Sequence, residues 1–133
     1  MMFKISPIQN TDIQIKCAEE CGSKYKDGAF AYSMNDSDTG RIMGFSQFEI
    51  NEDGGYIYDL RPAIGEDDFE AMFILGRATM NFIDLCGKHV LYADEAAGDE
   101  KLLRAIGLKK DESGRYFCDM TGFFDGSHCS GHK

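Results

Sequence analysis

Two carboxylates in the middle of the chain, Glu49 and Asp59, have the chemistry of general bases. Either could take a proton from an amine held beside it. The competing reading is that both are solvent-facing strand carboxylates, and the alternation of the strand decides between the two. Tyr58, Tyr92 and Tyr116 stand in alternating apolar stretches. A phenol there could donate a proton to a leaving group, although packing in a core or at an edge is the commoner use of a strand tyrosine. Arg61 could grip an anion, or pair with Asp67 or Asp68. Near the C-terminus, Ser127-His128-Cys129-Ser130-Gly131-His132 gathers one thiol and two imidazoles. A closed structural zinc site takes four ligands and this segment offers three, so His128, Cys129 and His132 are weak metal candidates and no metal site is assigned. The remaining cysteines, Cys17, Cys21, Cys86 and Cys118, bring the total to an odd five with no CxxC pair. Reduced thiols serving as small apolar residues fit that count better than a disulfide framework.

The elements that would position these groups are legible from periodicity and turn chemistry. Residues 3–8 read as a strand ended near Pro7. Thr11-Asp12-Ile13-Gln14 is a capping-box pattern with Thr11 as the cap. It opens a helix that reaches Cys21, stops at Gly22, and turns Ile13, Cys17 and Cys21 inward. A polar connection follows, Lys24 to Gly28. Three strands come next, Ala29–Met34, Arg41–Ile50 and Tyr56–Arg61, separated by Asn35–Gly40 and Asn51–Gly55, both dense in turn formers. They should form an antiparallel meander. From Glu66 to Cys86 the pattern becomes helical, with Phe69, Met72, Phe73, Met80 and Ile83 on one stripe, and Gly76 on that stripe points to close packing. Glu66, Asp67 and Asp68 crowd the start of this helix, where the macrodipole favours negative charge. His89–Ala93 is a strand, and the β-α-β order makes it parallel to the strand before the helix. A short helix, Asp99–Ile106, leads into a closing hairpin, Leu108–Asp111 and Arg115–Thr121. Residues 122–133 are polar and glycine-rich without periodicity, so they are expected to add little to stability. One domain over residues 1–121 followed by this tail is the expected organisation.

A chain of 133 residues, 43% of them hydrophobic, can fill one core. No run nears the ~18 apolar residues of a membrane span, and the N-terminal residues lack the apolar stretch of a signal peptide. A cytoplasmic protein that inserts in no membrane is expected. The net charge of −9 repels phosphate backbones, which argues against nucleic-acid partners. It also argues against polyanionic ligands unless a local basic patch overrides the field. A small molecule or another protein is the expected partner. A homodimer stays open.

The order β-α-β-β-β-α-β-α-β-β resembles the GNAT acetyltransferase superfamily over residues 3–121. Arg41-Ile42-Met43-Gly44-Phe45 is similar to the family's third strand. Tyr56-Ile57-Tyr58-Asp59-Leu60-Arg61-Pro62 is similar to the fourth, which ends in proline. Leu102-Leu103-Arg104-Ala105-Ile106-Gly107-Leu108 resembles the last helix and its exit. The resemblance implies an α/β fold with a mixed sheet whose fourth and fifth strands splay apart to admit an acyl-CoA. It places cofactor contacts at Leu60 and Arg61 and at the loop Gly65, Glu66, Asp67 and Asp68. The family's glycine-rich motif is not kept in that loop: Glu66, Asp68 and Glu70 stand at its glycine positions and Gly65 at its basic or amide position. Leu103 replaces the tyrosine that often protonates the leaving thiolate, and Ala96 the asparagine before the last helix. Two functions follow. One is a diverged binding protein with little or no acyl transfer and no assigned cofactor. The other is an active N-acyltransferase holding acetyl-CoA by an unusual loop.

Overall fold

A computed structural model describes residues 2–124. The strands are β1 (Phe3–Pro7), β2 (Phe30–Asp36), β3 (Ile42–Asn51), β4 (Gly54–Pro62), β5 (Val90–Ala93), β6 (Lys109–Lys110) and β7 (Tyr116–Asp119). The helices are α1 (Thr11–Glu20), α2 (Phe69–Leu85) and α3 (Glu100–Ile106), with a 3-10 turn at Glu95–Ala97. All strands join one sheet in the order β1-β2-β3-β4-β5-β7-β6. β4 and β5 are parallel, as the intervening helix requires, and the other neighbours are antiparallel.

The sheet carries a core on each face. On one, α2 and α3 pack Met72, Leu75, Met80, Ile83, Leu102, Leu103 and Ile106 against Met34, Phe48, Ile57, Leu60 and Leu91. On the other, α1 packs Cys17, Ala18 and Cys21 against Phe45 and Ala63. The four cysteines among the described residues are free thiols. Burial beside Cys17 pushes the Cys21 thiol up to about 12, so it stays protonated and behaves as an apolar residue.

Gly76 lies where its sequence position implied. A Cβ there would come within 2.9 Å of Ile106 and 3.1 Å of Leu60, so only glycine lets α2 settle this closely on both. Other expectations need correction. The cap of α1 is Asn10, whose Oδ1 accepts from the Ile13 amide at 3.2 Å. The buried stripe then runs through Gln14, Cys17 and Ala18, and Ile13 is 53% exposed. The helix α2 begins at Phe69 rather than Glu66. Asp68 caps it by accepting from the Ala71 amide at 3.0 Å, which leaves Glu66 and Asp67 in the preceding loop. Phe69 is exposed and Phe73 half-buried, while Leu75 and Thr79 complete the inner stripe. In the closing hairpin β6 is only two residues long. Asp111 holds the turn by accepting from the Ser113 amide and hydroxyl and from the Arg115 amide.

Candidate functional site

The site begins with an irregularity in β4. Its register with β3 shifts between Gln47 and Phe48, which pair with Asp59 and Ile57 and leave Tyr58 as the extra residue of a bulge. A bulge bends its strand and increases twist. β4 pairs with β5 only from Gly55 to Ile57, opposite Leu91 to Ala93. From Tyr58 to Pro62 it runs on past its last partner in β5. The bulge also redirects side chains. Ile57 and Leu60 both enter the α2-side core, and Tyr58 and Asp59 both line a cleft on the α1 side.

That cleft has a volume of about 350 Å³ and is lined by Ser23, Lys24, Lys26, Tyr58, Asp59, Arg61, Asp94, Ala96 and Ala97. Asp59, 3% exposed, is its buried base. Asp59 Oδ1 accepts from Ser23 Oγ at 2.7 Å and Arg61 Nε at 2.8 Å, and Oδ2 accepts from Gln47 Nε2 at 2.8 Å. Gln47 is fully buried. Its Nε2 also donates to the Lys24 carbonyl at 2.9 Å. Its Oε1 accepts from Gln14 Nε2 at 2.8 Å and the Lys26 amide at 3.0 Å. One network therefore ties α1, the 23–29 loop, β3 and β4 together, and a buried polar network of this kind is stable only because its members are satisfied.

Glu49 accepts from Tyr58 Oη at 3.1 Å, and Lys26 Nζ stands 4.8 Å from the centre of the Tyr58 ring. Tyr56 lies beside Tyr58, with ring centroids 5.2 Å apart, and donates to Asp94. Burial, then the bond to Asp94, pushes the Tyr56 phenol up to about 12. Burial and the bond to Glu49 raise that of Tyr58. Both phenols are protonated donors at neutral pH.

The chain leaving β5 folds back onto β4. Arg61 donates from Nη2 to the Ala96 carbonyl, and Ala97 is fully buried. Gly98 sits so close to Leu60 that a Cβ would lie 2.5 Å from the Leu60 carbonyl oxygen. A second hollow, of about 220 Å³, lies at the start of α2, lined by Pro62, Glu66, Asp67, Asp68, Phe69, Met72, Asp99 and Leu102. Residues 96–99 separate the two, with Ala96 and Ala97 facing the first and Asp99 the second. Glu66 pairs with Arg41 at 3.1 Å, and Lys101 lies 5.1 Å from the Phe69 ring centre.

The structure thus divides the candidates identified from sequence. Asp59 and Arg61 meet in the α1-side cleft, and Glu49 joins them through Tyr58. Arg61 pairs with Asp59 rather than with Asp67 or Asp68. Glu66, Asp67 and Asp68 meet at the second hollow, Leu60 is buried between, and Gly65 faces open space. Tyr116 is a core residue, and Tyr92 packs on Phe117 under Arg115. His128, Cys129 and His132 lie outside the described residues. Among the described residues no three of His, Cys, Asp and Glu gather as a metal site, and no helix is long and apolar enough to cross a membrane. Sequence reasoning missed Gln14, Ser23, Lys24, Lys26, Gln47, Tyr56, Asp94 and Gly98 as parts of the site.

No protein-family model matches the sequence, and no curated protein matches it. Solved structures do match. The ribosomal-protein-S18-alanine N-acetyltransferase of Escherichia coli is 11% identical with a TM-score of 0.67, over 90% of this chain and 94% of its own. An assigned GNAT-family acetyltransferase of Desulfovibrio desulfuricans is 10% identical with a TM-score of 0.67, over 90% and 99%. An Escherichia coli protein assigned as an N-acetyltransferase and determined with coenzyme A bound is 12% identical with a TM-score of 0.63, over 89% and 99%. At such identities the likeness is one of architecture, and it agrees with the strand order and the parallel pairing of β4 with β5: the chain has the fold of the GNAT acetyltransferases.

Proposed function

We propose that this protein is a GNAT-fold small-molecule-binding protein that uses the α1-side cleft and carries out little or no acyl transfer from acetyl-CoA. The observation that carries this reading is the hollow at the start of α2, with its four carboxylates, Glu66, Asp67, Asp68 and Asp99. A helix N-terminus offers a pyrophosphate about half a positive charge. One carboxylate ~6 Å from a phosphate charge opposes this by on the order of 2–3 kcal/mol at an effective dielectric near 20, before salt screening. Glu66 is paired with Arg41, and the three carboxylates left, Asp67, Asp68 and Asp99, together outweigh the helix. The residues present do not fit the cofactor. The path between the strands supports the same conclusion, because residues 96–98 lie against Leu60 and Arg61. Asp59 is a poor general base, since both its oxygens already accept hydrogen bonds.

A second reading is an active acyl-CoA-dependent N-acyltransferase with Glu49 or Asp59 as base. It is favoured by the length of β4 that runs on beyond the end of β5 and by the structural neighbour determined with coenzyme A bound. A thermal-shift titration separates the two. A ligand at a hundred times its Kd stabilises the folded state by about 2.7 kcal/mol, several degrees in Tm for a domain of this size. Acetyl-CoA at millimolar concentration is expected to leave Tm unchanged, and a rise of several degrees favours the second reading.

A further inference from the structure

Resting on the reading that the α1-side cleft is the ligand site, we infer that its ligand is a free amino acid, its carboxylate held at the Lys24–Lys26–Arg61 rim and its ammonium near Asp94. Around the cleft hydrogen-bond donors are in surplus. Asp59 accepts three hydrogen bonds, from Ser23, Arg61 and Gln47, and Asp94 accepts one, from Tyr56, which leaves it lone pairs for an ammonium. Among the described residues Lys24 and Lys26 have no ion pair, and Arg61 uses two of its donors, on Asp59 and on the Ala96 carbonyl. Against Asp59 and Asp94, the three cations leave the cleft lining one positive charge in excess, on a chain of net charge −9.

The lysines are also anchored. The buried Gln47 side chain holds the carbonyl of Lys24 and the amide of Lys26, so both side chains leave the backbone from fixed points. A loop serving only as a connection has no need of a fully buried amide to fix it, whereas a binding rim gains from pre-organisation. The charges select the ligand further. Asp59 and Asp94 face the same space, so a dianion meets two carboxylates, while a zwitterion presents one charge to each end. The Tyr58 ring with Ala96 offers apolar surface for a side chain, and about 350 Å³ suits a molecule of this size.

The test is two-dimensional amide NMR of the intact protein, titrated with each of the twenty common amino acids at millimolar concentration. Each hit is repeated as its carboxamide, as its N-acetyl derivative and against inorganic phosphate. At least one amino acid is expected to shift the amides of residues 23–26 and 94–97, with its carboxamide at least ten-fold weaker. Lys24→Ala/Lys26→Ala removes exposed side chains while leaving their backbone bonds in place, and should weaken the hit about ten-fold or more with its spectrum otherwise unchanged. The inference is overturned if no amino acid shifts these amides, if the carboxamide or phosphate binds as well, or if the double variant binds undiminished. None of these outcomes touches the reading that acetyl-CoA is excluded, which fails only if acetyl-CoA itself binds.

Discussion

The two hollows flanking the free length of β4 are built from the same kinds of residue and treat charge in opposite ways. In the α1-side cleft a buried carboxylate, Asp59, is answered by an arginine, a serine and a buried amide, and cations line the rim. At the start of α2 the carboxylates are answered unevenly. Glu66 pairs with Arg41 and Asp68 caps the helix, while Asp67 and Asp99 have no ion pair among the described residues. A fold can keep its geometry on both sides of a strand while only one side keeps the electrostatics that an anion needs. Anion binding at a helix start depends on what side chains surround the helix as well as on its dipole.

The largest expected effect lies in the cleft. Gln47→Leu leaves Asp59, Gln14 and the backbone groups of Lys24 and Lys26 short of partners. It should cost about 2–4 kcal/mol, since each buried group left without a partner costs about 1–3 kcal/mol. Urea unfolding measures it, and a loss below about 1 kcal/mol would mean that the network does not hold the cleft. Next comes the segment between the hollows. Gly98→Ala drives a methyl group into the Leu60 carbonyl and should cost about 1–3 kcal/mol. An unchanged Tm would show that residues 96–98 do not rest on β4.

At the second hollow the effects are smaller and differ from residue to residue. Asp68→Ala removes the cap of α2 and should cost about 1 kcal/mol. Asp67→Asn should stay within about 0.5 kcal/mol. Equal losses in the two variants would erase the distinction between a structural carboxylate and an unpaired one. The smallest effect is confined to high pH. Tyr56 titrates near 12 in the folded state against 10.0 ordinarily. Because the folded pKa is the higher, the folded state keeps a proton that the unfolded chain has lost in that window. The stability from Tyr56 is then complete below pH 10 and is lost as the pH rises toward 12. Tyr56→Phe should flatten that part of the stability–pH curve, and an identical slope in both proteins would exclude the assigned bond to Asp94.

Much of this was legible in the sequence, because apolar periodicity and glycine-rich turns reported the order of elements directly. The parallel pairing of β4 with β5 followed from the helix between them. The cleft was harder to read. Gln14 and Gln47 are polar residues turned inward, the reverse of what an amphipathic pattern predicts, and Ile13 drew the stripe of α1 one residue off its true face. The bulge did leave a trace. Ile57 and Leu60 are both apolar at an odd spacing, which a regular strand would send to opposite faces; with a core on each face of the sheet, that spacing fits a bulge without requiring one. The strap-like approach of Gly98 depends on tertiary packing and has no local signature. The acidic start of α2 was visible, and the structure adds Asp99 from a segment 31 residues away from Asp68.

Calorimetric titration of acetyl-CoA into the wild-type protein, with Glu66→Gly/Asp68→Gly alongside, tests the contrast most directly. The account predicts no measurable heat for the wild type and partial recovery of binding once two of the carboxylates are gone. Micromolar binding by the wild type would contradict it.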